Sequence, residues 1–195
     1  NSLPASLAGA LSLVLKSRAH QDSSLERSQL EPEVALQLAG GLAFEALVMN
    51  RSIECSSIRA GDWIERARER CRGALGVGDI TQKEIIDQLI SHNLLAHTKL
   101  GSYGFDHHLV ASALAAPYLA VDWRRHSSIL DEHLNDDTWV FAVDCIPFTD
   151  HLNYLMKTLE ADIILGAKVA RSMPDHLKHK CWELLKSCVN PKSEE

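Results

Sequence analysis

The sequence lacks the short motifs that mark a self-sufficient catalyst. Gly73, Gly76 and Gly78 are followed by no Gly-Lys-Ser/Thr, so they cannot form the backbone cradle of a nucleotide-phosphate loop. No nucleophile elbow or Ser-His-Asp order stands out. The five cysteines, Cys55, Cys71, Cys145, Cys181 and Cys188, form no CxxC pair and leave one over. Three lie at apolar helical positions, where a free thiol behaves as a small hydrophobe. That usage points to a reduced, cytoplasmic setting. Positive charge is also in short supply: 20 Lys and Arg against 26 Asp and Glu give a formal charge of −6. This argues against a protein whose main task is to grip phosphate backbones. No apolar run reaches the roughly 20 residues that cross a bilayer, and Asn1 to Leu15 lacks the basic start of a signal peptide. Neither a membrane nor nucleic acid is an expected partner.

What is present is an ordinary globular composition, 46% hydrophobic and 24% charged over 195 residues, enough to bury a substantial core. The chain starts without Met and reads as a piece of something longer. Leu7, Leu11, Val14 and Leu15 predict a helix from Pro4 to about Arg18, followed by a polar break over Ala19 to Gln29. Pro32 opens a second helix with Ala35, Leu38, Ala39, Leu42, Ala46 and Leu47 on one face. Gly40-Gly41 inside it predicts close approach of a neighbour, since each Gly costs on the order of 1 kcal/mol in a helix. Asp62 is the expected N-cap of a third helix, Trp63 to Leu75, and Gly73 to Gly78 a loop.

Thr81-Gln82-Lys83-Glu84 spells a capping box for a helix running to about His92. Leu94 to Thr98 and Ser102 to Asp106 are short strands around a turn at Gly101. Helices are then predicted over His107 to Trp123, Ser127 to Leu134, Asp137 to Cys145, Thr149 to Leu159, Asp162 to Ser172 and Asp175 to Val189. Breaks fall at Asn135-Asp136, Pro147 and Pro174. The fold class expected is all-α with a small two-stranded β wing: a winged-helix domain followed by stacked helical hairpins.

Gly101-x-Tyr103-x-Phe105-x-His107, then Ala115-Ala116 and Tyr118-Leu119, resembles the winged-helix segment of NACHT-type STAND NTPases. In these signalling ATPases a nucleotide-binding core is followed by regulatory helical and winged-helix domains and a repeat array. Ser2-Leu3-Pro4 with Leu7 and Leu11 resembles the Gly-x-Pro region at the end of that core. Leu36 to Leu47 resembles the helix that opens the winged-helix domain, and Ile85 to Leu95 the helix and strand before the wing. Trp139 onward and Ile163 to Val169 resemble the repeats that follow. Three departures stand out. Ala111-Ser112 replaces the family's Gln-Glu, Ser2 replaces Gly, and Pro117 sits in a helix it should kink or end.

The resemblance implies four segments: residues 1–30 as the end of the core's helical region and a linker, 31–120 as winged helix, 121–189 as helical repeat, 190–195 as tail. It implies that His107 contacts the phosphate of a bound nucleotide, as sensor of its state, and that Pro4 touches adenine. ADP or ATP would be the cofactor of the longer protein, with none held by this segment alone. The partners implied are an upstream NTPase core of the same chain and further copies on activation. The role is conformational control, with no catalysis by this part. The residues themselves give His107 a plainer part, capping backbone groups at a strand–helix junction, and Pro4 the place of a first-turn proline.

Other histidine readings are weaker. Asp106-His107-His108 spells a phosphoesterase signature, but the separate Asp clusters that chemistry needs are missing. His92, His97, His107 and His108 lack metal-ligand spacing, and His176, His179 and Cys181 read as a solvated helix start. The helix that would enter a DNA groove sets Lys83 against Glu84 and Asp87, while Arg66, Arg68, Arg70 and Arg72 are interleaved with Glu65 and Glu69. A DNA-binding regulator, a metal-dependent hydrolase built on the histidines and a plain helical interaction scaffold are the rival functions.

Overall fold

The computed structural model describes residues 7–21, 30–71, 80–98, 101–125 and 136–189. The expected Gly73 to Gly78 loop, the helix Ser127 to Leu134, Ser2, Pro4 and the tail from Asn190 lie outside them. The described chain is mainly helical with one small antiparallel sheet. Its elements are α1 (Leu7–Gln21), α2 (Pro32–Ala43), β1 (Glu54–Ser56), α3 (Ser57–Arg70), α4 (Gln82–Ser91), β2 (Ala96–His97) and β3 (Ser102–Gly104). Then come α5 (His108–Asp122), α6 (Asp136–Ala142), α7 (His151–Ala161), α8 (Ile163–Ser172) and α9 (Lys178–Val189).

The centre of the molecule is α2. Pro32 sits in its first turn, and Ala35, Leu38, Ala39 and Leu42 are buried. A Cβ on Gly40 would lie 2.7 Å from the Tyr118 ring and 2.8 Å from the Leu114 carbonyl oxygen. One on Gly41 would lie 3.0 Å from Cα and Cβ of Ala67. So α5 and α3 both press against α2 at the glycine pair, which is the close approach the sequence predicts. Beyond Ala43 the helix widens into a π-helical turn, Phe44–Met49, with Phe44, Glu45, Ala46, Leu47 and Val48 all inside. The continuous helix Pro32–Met49 is long and apolar enough to cross a bilayer, but 67% of it is buried within the fold, as in a core helix.

The sheet has three strands, not the expected two. β3 is central and pairs antiparallel with β1 on one side and β2 on the other. Gly101, at φ +76°, supplies the left-handed residue of the β2–β3 turn. β1 escapes a sequence reading because it is three residues long, Glu-Cys-Ser, with no alternation to detect. It also shifts the start of α3, which begins at Ser57 straight after the strand, so Asp62 is an interior residue and not the N-cap. The buried face Ala60, Trp63, Ile64 and Ala67 explains the extra turn.

The capping box of α4 is formed. Thr81 Oγ1 accepts from the Glu84 amide at 3.3 Å, while Glu84 Oε2 accepts from the Thr81 amide at 2.8 Å and hydroxyl at 2.6 Å. The Thr81 hydroxyl, then its amide, hold the Glu84 carboxyl below the ordinary value. A depressed folded pKa makes this contribution present above the unfolded value and lost as pH falls through the folded one. Thr81→Ala is expected to lower stability by about 1 kcal/mol, read as a lower thermal midpoint, with the deficit shrinking in acid.

α5 runs through Pro117 to Asp122, so the proline neither ends the helix nor sits in the core; it is exposed. Missing only the bond to the Ala113 carbonyl, the helix is held by burial of Ala111, Leu114, Ala115 and Leu119. Downstream, α6 packs on α5 and α8, and α7 on α8 and α9. Tyr154 ties these together: its hydroxyl donates to the Trp139 carbonyl at 2.6 Å, and its ring stacks on Trp139 and meets Trp123 edge-on. Asp162 caps α8, its Oδ1 accepting from the amides of Ile164 at 2.6 Å and Leu165 at 3.2 Å. The buried side chains form one cluster from Leu15 in α1 to Cys181 in α9.

Candidate functional site

His107 is placed by the sheet. The Phe105 amide donates to the Ile53 carbonyl at 3.1 Å, the Phe105 side chain is buried, and two residues later the chain enters α5. His107 is the extended N-cap, and its Nδ1 lies 3.1 Å from the Leu109 amide nitrogen. An amide can only donate, so Nδ1 is the acceptor and the neutral ring carries its proton on Nε2. The plain capping role is therefore present. His107 is exposed and its ring lies 4.3 Å from that of His108. His108 Nε2 is 3.2 Å from Asp137 Oδ2, and Asp106 Oδ2 is 3.6 Å from Arg18 Nη1. Ala111 and Ser112, the pair that departs from the Gln-Glu expected from the resemblance, are fully buried. Pro4, the second residue carried over from the resemblance, lies outside the described residues.

Among the described residues, the other histidines singled out in the sequence have separate surroundings. His92 is buried with Nδ1 3.0 Å from the Ala19 carbonyl, His97 packs on Tyr103, and His176 stacks on Phe148. Among the described residues no group of three or more His, Cys, Asp or Glu is arranged to hold a metal ion.

Two features went unseen in the sequence. The first is Glu45, 1% exposed in the π-helical turn. Arg70 reaches its Oε1 with Nη2 at 2.6 Å and Nε at 2.8 Å, and Arg66 Nη1 stands 3.5 Å from Oε2. The Arg70 guanidinium also lies 4.5 Å from the centre of the Phe44 ring. The only available signal was the i, i+4 spacing of Arg66 and Arg70. A regular helical projection does not reveal which acid they serve.

The second is a groove of about 530 Å³ between α1, α2 and α5. Leu15, Leu36, Leu114, Pro117 and Val121 supply apolar wall, Lys16 and Arg70 supply positive charge. Tyr118 closes one side with its polar end already engaged. Its hydroxyl donates to the Gln37 carbonyl at 2.7 Å, so at 3.0 Å the Cys71 thiol is the donor to that oxygen. Burial, first among the causes, raises both the Cys71 thiol and the Tyr118 phenol above their ordinary values, and both stay protonated at neutral pH. His107, at the opposite end of α5, does not line this groove. No family model, curated protein or solved structure matches the chain.

Proposed function

We propose that this chain is the regulatory, non-catalytic part of a NACHT-type STAND signalling NTPase, a cytoplasmic switch that couples nucleotide state to release and self-assembly. The winged-helix reading is supported by the order of elements, α2, β1, α3, α4, β2, turn, β3, with the last strand lying between the other two. The observation that carries the switch is His107. Its Nδ1 is committed to the Leu109 amide, which leaves Nε2–H as a donor at the exposed start of α5. A ring nitrogen donor suits a phosphate oxygen. In the resting state an upstream nucleotide-binding core of the same chain would present ADP to this edge. Exchange for ATP would change the phosphate contact and free the module. Two packings a few kcal/mol apart suffice for such a switch.

The test separates capping from sensing. His107→Asn keeps a side-chain oxygen that caps well but removes the imidazole; His107→Ala removes both. In the longer protein that carries the nucleotide-binding core, both variants are expected to speed ADP release about tenfold, on the order of 1.4 kcal/mol, and to raise the oligomeric fraction. Without nucleotide, only His107→Ala should lower the thermal midpoint, since only it loses the cap. Unchanged ADP release in both variants, or a gene whose upstream part encodes no phosphate-binding loop, would overturn the reading.

A further inference from the structure

We infer that the groove between α1, α2 and α5 is a binding site for an amphipathic carboxylic acid, an apolar tail with one anionic head, of about the size of a medium-chain fatty acid. The site does not involve His107 and stands whether or not the chain belongs to a nucleotide switch.

Volume comes first. About 530 Å³ lies within the range of cavities that take small organic ligands. The walls are apolar and come from three helices that the core already holds in place. Leu15 is 3% and Leu114 6% exposed, so their backbones are set by packing. Tyr118 adds a ring face whose hydroxyl is spent on Gln37, so it offers contact area without an unmet polar group. The groove is open along one side, where Val121 is 85% exposed, so it takes a hydrophobic body and is indifferent to its detail.

The charges decide the head group. Lys16 lines the groove and has no carboxylate partner among the described residues. Arg70 lines it from α3, with Nε and Nη2 fixed by Glu45 and Nη1 left without a hydrogen bond among the described residues. Glu45 thus orients the guanidinium while cancelling part of its charge. The one acid on the lining, Asp122, is answered by Arg125, whose Nε lies 3.4 Å from its Oδ1. The local balance is therefore positive in a chain whose formal total is −6. An anionic head meets the Lys16 ammonium and the Arg70 side chain, whereas a cationic head has only Asp122, which Arg125 already shares. Lys16 is the flexible partner at the surface, and Arg70 the fixed one.

The experiment uses the 195-residue chain and three probes. The fluorescent aryl sulfonate 8-anilinonaphthalene-1-sulfonate reports occupancy. Dodecanoate, below its micellar concentration, competes, and dodecyltrimethylammonium carries a like tail with the opposite charge. Expected is one fluorophore per chain, displaced by dodecanoate at about tenfold lower concentration than by the cationic amphiphile. Lys16→Glu should weaken dodecanoate by about tenfold. Ala113→Trp, which fills the groove from a half-buried wall position, should abolish competition while the thermal midpoint stays near that of the parent. Equal displacement by both amphiphiles, or binding that survives Ala113→Trp in a folded protein, would overturn the site. So would a groove closed by self-association, seen as fluorescence that falls with protein concentration. Binding to phosphatidylglycerol vesicles without binding of free dodecanoate would assign the surface to a membrane instead, and sink the proposal.

Discussion

Arg70→Met is expected to destabilise the protein by about 3 kcal/mol, and Glu45→Leu in the same chain to restore most of that loss. The asymmetry follows from where each charge sits. Glu45 is 1% exposed, whereas the Arg70 side chain is 29% and the Arg66 side chain 55% exposed. Deleting Arg70 strands a carboxylate in the interior with one loosely placed guanidinium, 3.5 Å away. Arg66 can move closer, which holds the loss at the lower end of the 3–5 kcal/mol known for a broken buried pair. Deleting both partners removes the charge that needed solvation, and Met over the Phe44 ring keeps apolar contact there. Urea unfolding of the parent, the two single variants and the double variant completes the cycle. Arg70→Met within 1 kcal/mol of the parent would mean that Glu45 does not depend on this pair.

The same cluster shows why part of the molecule is hidden from a sequence reading. Capping is local, so Thr81 and Glu84 declare α4 within four residues, and the structure forms that box as read. Gly101 and the aromatics after it likewise mark a turn and a strand without outside help. His107 was legible as a junction residue for the same reason. Glu45 was not, because its burial depends on a π-helical turn that rotates the helix face after Ala43. An α-helical projection sets Ala46 and Leu47 on the inner face and assigns no role to the acid between Phe44 and Ala46. β1 is invisible on its own, since its strand character comes from pairing with β3 nearly fifty residues later. The groove is a still more distant property: its lining belongs to helices that begin at Leu7, Pro32, Ser57 and His108. Short-range chemistry announces itself; sites assembled by packing do not.

Gly40→Ala sets two physical expectations of opposite sign against each other. By helix propensity alone the change should stabilise α2 by about 1 kcal/mol. The structure predicts the reverse, a net loss of about 1 kcal/mol, because overpacking at a fixed contact costs roughly 1–3 kcal/mol before any such gain. The added methyl would lie 2.7 Å from Tyr118 Cε2 and 2.8 Å from the Leu114 carbonyl oxygen. A flexible side chain could turn away, but Tyr118 is tethered through its hydroxyl to Gln37 and Cys71. The Leu114 oxygen is backbone of α5 and cannot move without the helix. Relief therefore requires α5 to step away from α2, which disturbs Leu38, Ala39 and Leu119 in the core and widens the groove that α5 walls. Gly40→Ala should lower the unfolding free energy and weaken dodecanoate binding together. Tyr118→Phe cuts the tether, so combined with Gly40→Ala it should recover part of the lost stability by letting the ring swing. A Gly40→Ala protein more stable than the parent would show that α2 and α5 do not meet at this glycine.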